Sequence, residues 1–167
     1  MAGIPIVGLE PSCLFALKDE LPSLLKTKEA RAVAEQALTF EELLIQDNAE
    51  LPLKPLRAKA LLHGHCHQKA YDAMAPVEAV LKMIDGLEVS TIETSCCGMA
   101  GAFGYGKDTY DVSQKMAEAD LLPKVRSAPE DTIIIADGTS CRSQIKDGTQ
   151  RSAVHVARLL DQQLQDH

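Results

Sequence analysis

The chain contains no tryptophan, and aromatic residues make up only 4% of its 167 positions. It has no basic run, and Asp and Glu outnumber Lys and Arg by 24 to 17, giving a formal net charge of −7. A surface this acidic and poor in aromatic rings can neither neutralise phosphates nor stack bases, which excludes nucleic acid as a partner. No apolar run approaches the roughly 18 residues that a membrane-spanning helix requires. Met1 to Pro11 lack the basic start and apolar stretch of a secretory leader. The expected location is therefore the cytoplasm, with any membrane association running through a partner. What remains, 46% hydrophobic and 25% charged residues, is the balance of a globular chain of one domain. Against that background five cysteines stand out. An odd number of thiols without an export signal argues against a disulfide framework.

Strand and helix signals alternate along the chain. Short apolar or β-branched runs at 4–9, 58–63, 87–92 and 132–136 read as strands. Helical spacing appears at 14–25, 28–38, 40–48, 76–84, 110–125 and 152–163. Thr39 followed by Glu42 is a capping-box pattern. Pro52 and Pro55 make Leu51 to Leu56 a connector rather than helix interior. In the segment 110–125 the expected buried stripe is Val112, Met116, Ala119 and Leu122, and His155 is expected to pack in mid-helix.

Each expected strand is followed within a few residues by a cysteine. Cys13 follows the first, Cys66 the second, the pair Cys96-Cys97 the third and Cys141 the fourth. Alternating strands and helices imply an α/β fold with a parallel sheet of about four strands flanked by helices. Loops at the carboxyl ends of parallel strands share one edge, where ligand sites gather. All five thiols are therefore expected at that edge. There is also an internal echo. The segment 7–19 can be laid over 135–147, with Ser12-Cys13 matching Ser140-Cys141 and Lys18-Asp19 matching Lys146-Asp147, as a duplicated unit would give.

Clustered thiolates repel one another, and a metal both deprotonates them and supplies the missing positive charge. Soft sulfur donors favour iron–sulfur clusters or zinc. A vicinal pair such as Cys96-Cys97 is strained as a disulfide, yet its sulfurs can reach different atoms of one multinuclear cluster. Gly98 and Gly101 would let backbone approach such a group closely. Lys107, Arg142 and Lys146 are candidate charge partners. His63, His65 and His67 alternate and offer a nitrogen ligand, although an ordinary packed or solvated histidine fits each position as well. Two rivals stand beside this reading. One is a structural zinc module that docks another domain, and the other is a thiol-based reductase using Cys96-Cys97.

With Cys66, Cys96-Cys97-Gly98 and Cys141 in order, the chain resembles the cysteine-rich CCG domain family. That family includes the cysteine-rich subunits of heterodisulfide reductase and of anaerobic glycerol-3-phosphate dehydrogenase, and the glycolate oxidase iron-sulfur subunit. The phrases His63-Gly64-His65-Cys66-His67-Gln68-Lys69-Ala70 and Cys96-Cys97-Gly98-Met99-Ala100-Gly101-Ala102-Phe103-Gly104-Tyr105 resemble the C-terminal part of fused flavin and iron–sulfur dehydrogenases. The likeness implies that residues 58–167 form a complete unit, while 1–57 hold the tail of an earlier unit, including Cys13, and a helical connector. It further implies a 4Fe-4S cluster held by Cys13, Cys66, Cys96, Cys97 and Cys141. FAD and ferredoxin-type domains would lie elsewhere in the enzyme, and the substrate would be a D-2-hydroxy acid such as D-lactate, glycolate or D-2-hydroxyglutarate. One departure concerns the last ligand. The family pattern closes on Cys-x-x-Cys, and this chain has Gln144 where the second thiol belongs.

Overall fold

A computed structural model describes residues 3–165. In chain order the elements are β1 (Ile6–Gly8), α1 (Pro11–Phe15), a π-helical turn (Ala16–Glu20), α2 (Leu21–Leu25), α3 (Lys28–Gln36), β2 (Ala37–Thr39) and α4 (Phe40–Gln46). They continue with β3 (Ala58–His63), α5 (Cys66–Ala70), α6 (Met74–Leu81), β4 (Leu87–Thr91) and a 3₁₀ turn (Phe103–Tyr105). The remainder is α7 (Tyr110–Ala119), α8 (Leu121–Ser127), β5 (Ile133–Ala136), α9 (Thr139–Thr149), β6 (Ala153–Val154) and α10 (Val156–Gln163).

The main sheet has four strands in the order β4-β3-β5-β6, and every pairing in it is parallel. The parallel α/β architecture is as expected, but its membership differs. The first expected strand pairs instead with β2, in a separate two-stranded parallel sheet that matches Ile6 to Ala37 and Gly8 to Thr39. The fourth place in the main sheet goes to Ala153–Val154, inside the segment read as helix. Two- and three-residue strands carry too little pattern to be read, and pairing partners decide them.

Helices cover both faces of the central strands β3 and β5, while the edge strand β4 leaves Glu88, Ser90 and Thr91 exposed. Side chains alternate along β3 and β5. Ala60, Leu62 and Ile135 join a core with Val77, Val80 and Leu81 of α6 and Leu159 and Leu160 of α10. Ile134 and Ala136 point the other way, into a core with Ala117 of α7, Leu121, Leu122 and Val125 of α8, and Ile145 of α9. Cys97 and Cys141 lie in that second core.

Two helical expectations need correction. The segment 110–125 is two helices, because Asp120 leaves helical geometry at φ −144°. Its buried face carries Ser113 and Ala117, while Val112 and Met116 are exposed. The backbone at Gly98 comes close to this helix. A Cβ built on Gly98 would stand 2.3 Å from the Ser113 carbonyl oxygen. The segment 14–25 is helical throughout, as expected, but the run begins earlier, at Pro11, and passes through a π-helical turn over Ala16–Glu20. His155 is the N-cap of α10, not a mid-helix residue, and its ring accepts the Ala157 N–H. The capping box of Thr39 and Glu42 is present, with Thr39 Oγ1 accepting from Glu42 N at 3.1 Å and Glu42 Oε2 accepting from Thr39 N at 2.7 Å. The connector 51–56 forms no helix, and Leu53 bridges to Leu164.

Candidate metal centre

Three loops that follow neighbouring strands of the main sheet build the site. β3 delivers His63, buried at 1% exposure, and the chain turns through Gly64 into α5. His65 caps that helix. Its Nδ1 accepts the His67 N–H at 3.2 Å, and its own N–H reaches Gln68 Oε1 at 3.0 Å. Cys66 is thereby fixed as the first residue of α5. β4 leads to Thr94, Ser95 and the Cys96-Cys97 pair, and the Gly98 N–H donates to Cys96 Sγ at 3.3 Å. Gly98 stands at φ +83°, a conformation that glycine adopts without penalty. β5 leads through Asp137 and Gly138 into α9, which carries Cys141 in its first turn. A Cβ on Gly138 would meet His65 Cδ2 at 2.5 Å and Cys141 Sγ at 3.1 Å, so this glycine permits the approach of the His65 and Cys141 loops.

The thiols meet in a chain of side-chain contacts that runs Cys66 to Cys96, Cys96 to Cys97, Cys97 to Cys141 and Cys141 to His63. His63, Cys97 and Cys141 place one donor atom each within 4.8 Å of one another, and so do His65, Cys66 and His67. Acidity divides along the chain of thiols. Hydrogen bonds from Cys66 and Cys97 pull Cys96 down to about 2. The contact with Cys97, and then that with His63, brings Cys141 down to about 5 against the effect of burial. Cys66 and Cys97 are pushed up, because each shares its hydrogen with a neighbouring sulfur and is partly buried.

The donor set fits a soft metal. Cys97 and Cys141 each bring a sulfur within 4.8 Å of a nitrogen of His63, and the buried Nε2 of that ring has no hydrogen-bond partner, an arrangement costly to leave unfilled. Cys13 stands apart, exposed on α1 and outside the contacts that join the other four thiols. Its helix nevertheless packs against α5, with Phe15 stacked on His67 at 5.7 Å and on Tyr71 at 4.9 Å between centroids. Gly101, at φ +64°, faces open space, and a Cβ added there would meet nothing within 4 Å.

Of the three cations named from sequence, Lys107 and Lys146 are exposed. Arg142 instead donates to the carbonyl oxygens of Ala136 and Asp137 and to Thr139 Oγ1. Gln144 is buried, its amide bonded to Ser113 Oγ at 3.2 Å. The cation that faces the thiols is Lys69, which sequence reasoning missed. Its ammonium donates to Thr94 O at 2.7 Å and Ser95 O at 2.6 Å, and so ties α5 to the Cys96 loop. Burial lowers its basicity, while all four clustered cysteines act in the opposite direction. Its place one helical turn after Cys66 was the available signal.

Glu10, just before α1, accepts from both the N–H and the hydroxyl of Thr139 at 2.8 Å. These two bonds hold its carboxyl below the usual range despite burial. Nearby, Asp137 accepts from Gln68 Nε2 at 3.0 Å and from Val156 N at 3.1 Å. Glu41 lies within 4.8 Å of Asp137 and His155, with its Oε1 buried and unpaired. Burial and the neighbouring Asp137 raise Glu41 to about 7.

Among known proteins the chain is 32% identical over 164 residues to a subunit of the anaerobic glycerol-3-phosphate dehydrogenase of Escherichia coli (strain K12), a match covering 97% of this chain and 41% of that protein. It is 28% identical over 165 residues to D-2-hydroxyglutarate dehydrogenase of Pseudomonas putida, covering 98% of this chain and 16% of the relative. A match to D-2-hydroxyglutarate dehydrogenase of Haemophilus influenzae reaches 29% over 154 residues and covers 15% of the relative. No protein-family model matches the chain, and no solved structure matches it. The chain thus spans less than half the length of these relatives, which are dehydrogenases or subunits of dehydrogenases.

Proposed function

We propose that the chain is a metal-binding redox module of an FAD-linked dehydrogenase, with Cys66, Cys96, Cys97 and Cys141 holding an iron–sulfur cluster of the 4Fe-4S type. The observation that carries this reading is the convergence of donors from separate loops, with His63, Cys97 and Cys141 within 4.8 Å of one another and Cys66 and Cys96 electrostatically linked to them in series. When bound, the cluster would supply a one-electron carrier between reduced flavin and a downstream acceptor. The chain's own contribution is to gather the sulfurs, exclude water from Cys97 and Cys141, and offset thiolate charge through Lys69. Gly98 seats its N–H against Cys96, and Cys13 is the outer candidate ligand. The partners would be FAD-linked oxidase and ferredoxin-type domains of the same enzyme, in the cytoplasm. No helix among the described residues is long and apolar enough to cross a membrane.

Relatives of two kinds support a dehydrogenase whose substrate is a D-2-hydroxy acid or glycerol-3-phosphate, bound where the flavin is bound. One rival keeps a specific observation. The group of His63, Cys97 and Cys141 has the donor types of a structural zinc site. Anaerobic purification followed by iron and sulfide analysis and EPR separates the two. Iron and sulfide in comparable amounts with a reducible EPR signal is the expected result. Stoichiometric zinc with no iron after reconstitution would overturn the redox reading.

A further inference from the structure

Four thiols form the contact chain, while the place of a further cysteine is taken by Gln144, whose amide is engaged with Ser113. Cys13 is exposed on α1. His63 differs from both. It is 1% exposed at the end of β3, and one of its ring nitrogens lies within 4.8 Å of the donor atoms of Cys97 and Cys141. Nδ1 meets Thr94 Oγ1 at 3.3 Å, and Nε2 is buried with no hydrogen-bond partner.

The other two imidazoles are differently placed. His65 spends Nδ1 on the His67 N–H. His67 also keeps a buried ring nitrogen, Nδ1, without a partner, but it is stacked on Phe15 and grouped with one thiol, Cys66, rather than two.

We propose that His63 is the non-thiolate ligand of the metal centre, binding through Nε2 beside Cys97 and Cys141, with Thr94 and Lys69 as the residues that orient it. Metal-bound histidines donate their second ring N–H to a fixed acceptor, which sets the tautomer and the ring angle. Thr94 Oγ1 is that acceptor here. Lys69 fixes Thr94 in turn, by donating to its hydroxyl at 3.3 Å and to its carbonyl at 2.7 Å. The tautomer with hydrogen on Nδ1 leaves the Nε2 lone pair for metal. This inference rests on the metal-centre reading above and adds to it a mixed sulfur and nitrogen ligand set.

The test loads the full chain with Co²⁺ alone under argon and records electron–nuclear double resonance with ¹⁴N- and ¹⁵N-histidine. A directly bonded histidine nitrogen is expected in the unmodified chain and in Cys13→Ser. It should vanish in His63→Ala, with the Co²⁺ dissociation constant raised about tenfold or more. Thr94→Val keeps the imidazole and is expected to weaken binding by a smaller factor. Co²⁺ bound through thiolates with no histidine coupling, or coupling that survives in His63→Ala, would overturn the assignment of His63 and leave the thiol site standing. Failure of the unmodified chain to bind Co²⁺ would overturn both. The isotope comparison on the unmodified chain needs no variant, so a misfolded His63→Ala would not rescue the proposal.

Discussion

Glu41 makes the stability of the metal-free chain depend on pH in a defined direction. Its side chain is 2% exposed, its Oε1 has no partner, and burial together with the Asp137 carboxylate raises its pKa from 4.5 to about 7. The folded chain therefore keeps a proton on Glu41 at pH values where the unfolded chain has released it. At about 1.4 kcal/mol per pH unit, stability that is fully present below pH 4.5 is lost as pH rises to 7, by about 3 kcal/mol. His65 acts with the opposite sign. Burial lowers its basicity, so its share of stability grows as pH rises. Comparison with Glu41→Gln separates the two, because the amide resembles the protonated carboxyl and cannot titrate. Urea unfolding, followed by circular dichroism under argon with reductant from pH 4.5 to 7.5, should show a gap opening in favour of the glutamine variant. Parallel curves for the two proteins would refute the reasoning.

Glycine substitutions at two positions should diverge. Gly98→Ala forces a Cβ to 2.3 Å from the Ser113 carbonyl at a positive φ, and a loss of about 3 kcal/mol or more is expected in thermal unfolding, with loss of metal uptake. Gly101→Ala meets open space and should cost only the backbone term, about 1 kcal/mol. The double change Cys96→Ser, Cys97→Ser should abolish metal binding, and retained iron or zinc would sink every reading centred on the pair. Glu10→Gln replaces a charged acceptor of the Thr139 N–H and hydroxyl, and about 1 kcal/mol of stability should be lost at pH 7. That loss should shrink as the pH falls through the carboxylate range, where the unmodified Glu10 also becomes neutral.

The parallel α/β architecture was legible because β5 is a continuous apolar run, β3 is dominated by aliphatic residues, and β4 sets Leu87 and Val89 beside the β-branched Thr91. The capping box at Thr39 was legible because its chemistry is local. β2 and β6 were not, since Ala37 to Thr39 continues a helical pattern and Ala153-Val154 gains strand geometry only by pairing with Ile134 and Ile135. The inward face of α7 was misread because periodicity rewards large apolar residues, whereas the buried positions are held by Ser113 and Ala117. The cysteines could be named from sequence, whereas for Lys69 the one signal was its place a helical turn after Cys66, and for Thr94 there was none. Their roles come from hydrogen bonds to loop carbonyls and to one imidazole, across 25 and 31 positions, and no local pattern reports such bonds.

The bond from Glu10 to the start of α9 closes a loop of 129 positions, and His155 meets the Leu9 carbonyl at 2.7 Å across 146. Contacts this distant in sequence are slow to form. On the ribosome, the Cys66 and Cys96-Cys97 segments emerge well before Cys141 and the elements that fix it. Through that interval the early thiols have no completed pocket around them. The late docking of α9 and α10 thus leaves the vicinal cysteines open to oxidation until the chain is nearly complete.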